Sequence, residues 1–259
     1  MASKLVALET SGPVARLTLT RPESANAIDL AVLDALESAL REAEADTALR
    51  CVVLTGEGRT FSAGGDIHQM RDLTSEQGPG FVTRGQAVLD QLSASRLVVI
   101  AEVNGPALGG GAELALACDI RIASDQARIG FPEVGLGLIP AWGGTQRATR
   151  LLGQSRASLL ILTGEPLTAI EALSIGLLDR VVPASQLPAE CERVAARIAA
   201  NSPAAVAAAK RSIVEGGRLS FEDGLHVEAE AWLGAFRTND RIEGLSAFLE
   251  RRGPNWTNS

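Results

Sequence analysis

This 259-residue chain predicts an α/β fold that becomes mostly helical towards its C-terminus. Three features carry the prediction. Short strand-forming runs alternate with helix-period segments through the first half. Helix-period segments fill the last third. Two of the apolar runs also end in glycine-bearing loops, as parallel strands do when they lead into helices.

Taken in order, VARLTLT (14–20) alternates and is rich in strand formers, so it is read as a strand. RPESANAID then breaks the pattern with Pro22 and a polar loop. From Leu30, apolar residues recur at Leu33, Leu36 and Leu40, the spacing of a helix face, and Asp29 stands where an N-cap belongs. CVVLTG (51–56) is a continuous apolar run ended by glycine, the pattern of a buried parallel strand.

The loop GEGRTFSAGGD follows, then a polar stretch with SEQGPG (75–80), a helix over 81–95 and a buried strand in RLVVIAEVNG (96–105). NGPALGGGAELALACD leads into a helix from about Gly111 to Cys118. DIRIAS (119–124) and ARIGF (127–131) are expected to be short strands. Helices are expected over 144–152, 155–163, 168–175, 190–200, 203–215, 221–236 and 239–250, with one strand, LLDRVV (177–182). No internal repeat and no long linker is visible. The Ala-rich amphipathic tail suits packing on the first part of the chain or on another subunit.

Composition narrows the function. With 46% hydrophobic residues the chain can bury a sizeable core, and a net charge of −7 argues against non-specific nucleic-acid binding. Tyr is absent and aromatic residues make up 3%, too few for base-stacking platforms. No run of eighteen apolar residues occurs, and MASKLVALETSG lacks the apolar core of a signal peptide, so a cytoplasmic location with no membrane partner is expected. Cys51, Cys118 and Cys191 are widely spaced. Cys51 and Cys118 lie in apolar runs and read as buried reduced thiols.

FSAGGD (61–66) and GPALGGG (105–111) each follow a predicted parallel strand, at the strand end where ligands usually bind. Small residues there allow a ligand to approach peptide N–H groups, and a helix N-terminus favours an anion. One N–H from each loop converging on one oxygen would meet the requirement for stabilising an enolate. Two closely packed connections would look the same in sequence. Other loop chemistries fail: there is no GxxxxGK[ST] and no GxSxG, and after Gly135 and Gly137 the third glycine position of a dinucleotide fingerprint holds Pro140. His68 and His226 are the only histidines and neither lies in HExxH, so no metal site is expected.

Two glutamates stand out. Glu113 falls in the first turn of its helix, where an acid also simply complements the dipole. Glu133, in GFPEVGLG, follows Pro132 in an apolar, glycine-bearing stretch and could equally be a solvated loop acid. As a pair in apolar surroundings they could hold a water and move protons at adjacent carbons, with one pKa raised towards neutrality.

The segments FSAGGDI (61–67), NGPALGGGAELALACDIRIA (104–123), FPEVGLGLIPAWGGTQR (131–147) and LTGEPLTAIEALSIGLLDRVVP (162–183) resemble, in order and separation, the enoyl-CoA hydratase/isomerase, or crotonase, family. RIEGLSAFLERRGP (241–254) resembles that family's closing helix. The resemblance covers nearly the whole chain. It is highly specific to the family and much less specific to one reaction.

It implies a crotonase-like spiral of ββα repeats over 1–195, holding CoA and the catalytic site, and a helical oligomerisation region over 196–259 used in trimers or dimers of trimers. It implies an acyl-CoA thioester substrate, no metal, and no cofactor beyond the CoA that belongs to the substrate. Carried over by motif, the oxyanion-hole donors are the N–H groups of Ala63 and Gly110, and the catalytic residues are Glu113 and Glu133. Ala63, Gly64, Gly65, Asp66 and Ile67 would border the adenine and pantetheine of CoA, with Gly110 completing the substrate-binding set.

Both glutamates together resemble the true hydratases, which add water syn across a 2-trans-enoyl-CoA to give a 3-hydroxyacyl-CoA, with Glu133 delivering a proton to C2. The alternatives are an enoyl-CoA isomerase or another acyl-CoA lyase or hydrolase of the family, and a catalytically silent thioester-binding protein, which would be expected to lack one of these residues. Ala141 and Trp142 depart from the glycine-rich family pattern. Trp142 either narrows the acyl end of the pocket or packs between helix and loop. His68 stands where a lysine is frequent. Arg59, Arg251 and Arg252 are candidate partners for CoA phosphate, and the polar stretch at 71–84 is expected to be a mobile loop lining the acyl pocket.

Overall fold

In a computed structural model, residues 5–257 are described. The chain opens with a hairpin, β1 (Val6–Ser11) and β2 (Val14–Leu19), followed by α1 (Leu30–Ala45) and β3 (Cys51–Gly56). Next come α2 (Ile67–Asp72), α3 (Gly78–Ala94), β4 (Val98–Val103), β5 (Ala107–Leu108), α4 (Gly110–Ala117), β6 (Ile120–Ser124) and β7 (Arg128–Gly130). A 3-10 turn at Pro132–Leu136 leads to α5 (Gly144–Leu152), α6 (Gln154–Thr163), β8 (Leu167–Thr168), α7 (Ala169–Ser174) and β9 (Arg180–Val182). The chain closes with α8 (Leu187–Ala199), α9 (Pro203–Gly216), α10 (Phe221–Phe236) and α11 (Asn239–Glu250).

Six strands form one sheet in the order β1-β2-β3-β4-β6-β9, antiparallel only between β1 and β2. A second layer holds β5-β7-β8, and single parallel bridges at Ile28–Gly65 and Ser62–Ala107 extend its pattern backwards along the chain. Each winding thus gives one strand to the large sheet, a short strand or bridge to the small one, and then a helix. This is a ββα spiral, although the sequence shows no repeat. The repeating unit is a backbone path, and different side chains fill it at each turn.

The central strands β3 and β4 are buried along their whole length, which is why they read as mostly apolar runs. Leu17, Leu33, Leu36, Leu54 and Phe61 lie in the main core. A second cluster, including Cys51, Ile100, Cys191 and Ala195, packs α8 on the other face of the sheet. Residue 195 therefore falls inside a helix that belongs to the sheet. The buried carboxylate of Glu102 on β4 is answered by both guanidinium nitrogens of Arg16 at 3.0 Å. Lys210 of α9 reaches Asp119 at 2.7 Å and donates to the Leu97 carbonyl, which anchors the C-terminal helices to the core.

Asp29 caps α1 through the Val32 N–H at 2.8 Å, as its position in the sequence suggested. All three cysteines are buried and free, and burial pushes the thiols of Cys51 and Cys118 up to about 12. The strand at 177–182 shrinks to Arg180–Val182, and β1, α2 and the start of α3 lie where sequence reading placed no element. Within the stretch at 71–84, only residues 73–77 lie outside the helices. Pro79 sits in the first turn of α3, where its missing N–H is harmless, and residues from Gly78 onward are helical. On α10 and α11, Phe221, Trp232, Phe248 and Leu249 are exposed. Among the described residues, no helix is long and apolar enough to cross a membrane.

Candidate active site

The parallel pairing of β3 and β4 delivers the two glycine-bearing loops side by side at one end of the sheet. The first is held from below by the turn at Ala25 and Asn26, both with positive φ. Buried Asn26 donates to the carbonyls of Glu57 and Thr60 and accepts from the Arg21 N–H. The Ser62 hydroxyl donates to the Asn26 carbonyl and accepts from the Gly64 N–H. Gly64 is required by geometry: its φ is +98°, and a β-carbon there would stand 2.6 Å from the Leu108 carbonyl oxygen.

These bonds decide which amides remain free. The Ala63 N–H donates to the Ala25 carbonyl at 2.9 Å, so it is not available as an oxyanion donor. This corrects the expectation drawn from the motif, which placed the donor at the exposed alanine. Among the described residues, the N–H groups of Gly65 and Gly110 have no acceptor. Gly110 opens α4, so its N–H lies outside the helical ladder. The two amides are neighbours: a β-carbon built on Gly110 would lie 3.1 Å from the Gly65 nitrogen. Both glycines line a cavity of about 600 Å³.

Ala63, Ile67 and Gly110 also border this cavity, whereas Gly64 and Asp66 shape it from behind. Asp66 caps α2 by accepting from the N–H groups of His68 and Gln69 and pairs with Arg21, which also holds Asp29. Against a burial penalty, the Gln69 amide and Arg21 keep the Asp66 carboxyl below its usual range. One guanidinium thus ties the N-termini of α1 and α2 together behind the loop. His68 is exposed and outside the cavity lining. Arg252 pairs with Glu243 and Glu250.

Glu113 lies one turn into α4 and is 2% exposed, with its Oε1 accepting the N–H groups of Trp142 at 2.7 Å and Gly144 at 2.6 Å. Burial, helped by the nearby Glu133 charge, lifts its pKa to about 7 even though the two amides oppose the shift. Glu133 projects from the 3-10 turn. Its Oε1 would stand 3.0 Å from a β-carbon on Gly109, and its Oε2 is buried with no hydrogen-bond partner. Burial raises its pKa as well. Both carboxylates line the same cavity as Gly65 and Gly110.

The amides of Trp142 and Gly144 were not singled out from sequence. Gly143, with φ +109°, turns the chain so that both point at Glu113. Arg147 braces the turn by donating to the Trp142 carbonyl at 2.8 Å. GGTQR was therefore the signal, since a glycine ahead of a helix marks a forced turn. Trp142 itself is packed and buried, and it also lines the cavity.

A ββα spiral with two loops meeting over a buried carboxylate defines the crotonase fold. Solved structures share it: an enoyl-CoA hydratase from Bacillus anthracis superposes with a TM-score of 0.95 at 38% identity, covering 98% of this chain and 100% of that one. The chain belongs to the enoyl-CoA hydratase/isomerase family, whose model matches residues 9–259. It is 42% identical over 248 residues to a short-chain-enoyl-CoA hydratase of Clostridium acetobutylicum, covering 95% of each chain. It is also 39% identical over 257 residues to a crotonyl-CoA hydratase of Syntrophomonas wolfei, covering 99% of each.

Proposed function

We propose that this protein is an enoyl-CoA hydratase that adds water across the double bond of a 2-trans-enoyl-CoA to give a 3-hydroxyacyl-CoA. One observation carries the reading: two carboxyls with raised pKa and two unpaired peptide N–H groups open onto one apolar cavity.

The thioester oxygen accepts from the Gly65 and Gly110 N–H groups. Charge that develops on it as the enolate forms also lies at the N-terminus of α4. Each such donor contributes about 3 kcal/mol to lowering the barrier, roughly 100-fold in rate. A water held between the carboxyls loses a proton to ionised Glu113 as its oxygen bonds to C3. The π electrons move towards C2 and the thioester oxygen. Protonated Glu133 then gives its proton to C2 as the enolate collapses, completing a syn addition. One carboxyl has gained a proton and the other has lost one, so a proton passing between them or through solvent resets the site.

The acidic partner suits Glu133, whose unpartnered Oε2 can carry a proton. The basic partner suits Glu113, whose two amide bonds favour the ionised form against its burial. No residue in this scheme calls for a metal or a cofactor beyond the CoA of the substrate. The exposed apolar side chains of α10 and α11 support assembly as a trimer or dimer of trimers, which would cover them.

Incubation with crotonyl-CoA in isotope-labelled water tests the reaction class. The expected product is 3-hydroxybutyryl-CoA carrying the label on C3. A product with a displaced double bond and no incorporated oxygen would instead support an isomerase.

A further inference from the structure

The cavity has an exposed rim and a buried floor. Ile67, Leu136 and Ile139 at the rim are 59%, 59% and 65% exposed, whereas Phe81 and Trp142 are 6% and 3% exposed. A nucleotide-bearing CoA is too large and polar for the floor. It must lie at the rim, and the acyl chain must point inward past Gly110 and Glu113. What it meets there is aromatic. The Trp142 and Phe81 rings lie 5.2 Å apart between centroids at 50°.

The indole is wedged in place by two glycines. A β-carbon at Gly85 of α3 would come within 2.1 Å of its Nε1, and one at Gly110 within 2.5 Å of its Cζ3. The ring thus spans the gap from α3 to the first residue of α4, immediately behind a proposed oxyanion donor. Its backbone cannot retreat, because its N–H is bound to Glu113 and its carbonyl to Arg147.

We infer that Trp142, backed by Phe81 and seated on Gly85 and Gly110, is the end wall of the acyl pocket and restricts the enzyme to short-chain enoyl thioesters. This rests on the hydratase reading and adds to it the residue that sets chain length. A longer chain must either displace a wedged indole or leave its terminal methylenes against the rim, and each excluded methylene gives up roughly tenfold or more in discrimination.

The test is kcat/KM for crotonyl-, hexenoyl- and decenoyl-CoA with the wild type, Trp142→Ala and the milder Trp142→Leu. Circular dichroism selects the variants that fold. Wild type should prefer crotonyl-CoA over decenoyl-CoA by about 100-fold or more, and either folded variant should shift that ratio towards the long chain by at least tenfold. A flat wild-type profile, or an unchanged ratio in the folded variants, overturns the end wall while leaving the hydratase reading intact. Failure of wild type to hydrate any of the three overturns the hydratase reading and the inference with it.

Discussion

The start of α4, which carries Glu113, and the 3-10 turn, which carries Glu133, face one cavity but are built in opposite ways. Glu113 sits on a helix buried at every residue, with one oxygen fixed by two amides of a braced turn. Glu133 sits on a five-residue turn between Phe131 and Gly137, and one of its oxygens is buried without a partner. Burial raises both carboxyls, and it is opposed at Glu113 by two amides of another segment but at Glu133 by its own backbone N–H alone. The lesson is that two chemically identical groups are given different work by what their oxygens touch. A fixed, solvated-by-amide carboxylate can hold and deprotonate a water. An unpartnered carboxyl can carry a proton to carbon.

The comparison is broken most forcefully by neutralising each acid in turn. Glu113→Gln and Glu133→Gln should each reduce kcat for crotonyl-CoA hydration by about 10² to 10⁴-fold, with the fold intact by circular dichroism. If the roles differ as proposed, Glu133→Gln alone should also suppress exchange of the C2 proton of the product with deuterated water. Equal loss of exchange in both variants would erase the distinction.

A second test addresses the loop both acids serve. Gly64→Ala forces a β-carbon to within 2.6 Å of the Leu108 carbonyl at a φ few side chains adopt, and so should separate the two glycine loops. Turnover should fall by about 100-fold, the value of one oxyanion donor, measured with crotonyl-CoA at saturation. A variant with normal turnover would mean that the loops need not meet.

A stability measurement sharpens the same contrast. Glu113 ionises near 7 in the folded protein against an ordinary 4.5, so between these values the folded state keeps a proton that the unfolded chain has lost. Stability therefore falls as pH rises through this window, by about 3 kcal/mol once both are passed. Glu113→Gln removes that dependence. It should be more resistant to urea than wild type at pH 8, with the advantage vanishing near pH 4. An advantage that instead grows towards acid would contradict a raised pKa.

Much of this was legible in the chain itself. The strands β3 and β4 announced themselves because burial on both faces leaves few polar positions, Thr55 and Glu102 among them, and Asp29 marked the start of α1 because a cap needs a short acceptor. The glutamates and both glycine loops were found by motif. β1 was missed because it is an edge strand with Glu9, Thr10 and Ser11 exposed, so it carries little apolar alternation. The start of α3 was missed because Gly78, Pro79 and Gly80 look like breakers, yet a β-carbon at either glycine would meet nothing and proline is tolerated in a first turn. The misplaced donor has a different origin. Whether Ala63 or Gly65 keeps a free N–H depends on the Ala25 carbonyl, brought up by a turn in a segment that reads only as a polar loop.

The most direct measurement is a crystal structure with a bound, slowly turned-over acyl-CoA. The account predicts the thioester oxygen at about 2.9 Å from both the Gly65 and Gly110 nitrogens, with Glu113 and Glu133 on the same side of the C2–C3 bond. A carbonyl that lies against the Ala63 nitrogen, or beyond reach of either glycine, would contradict it.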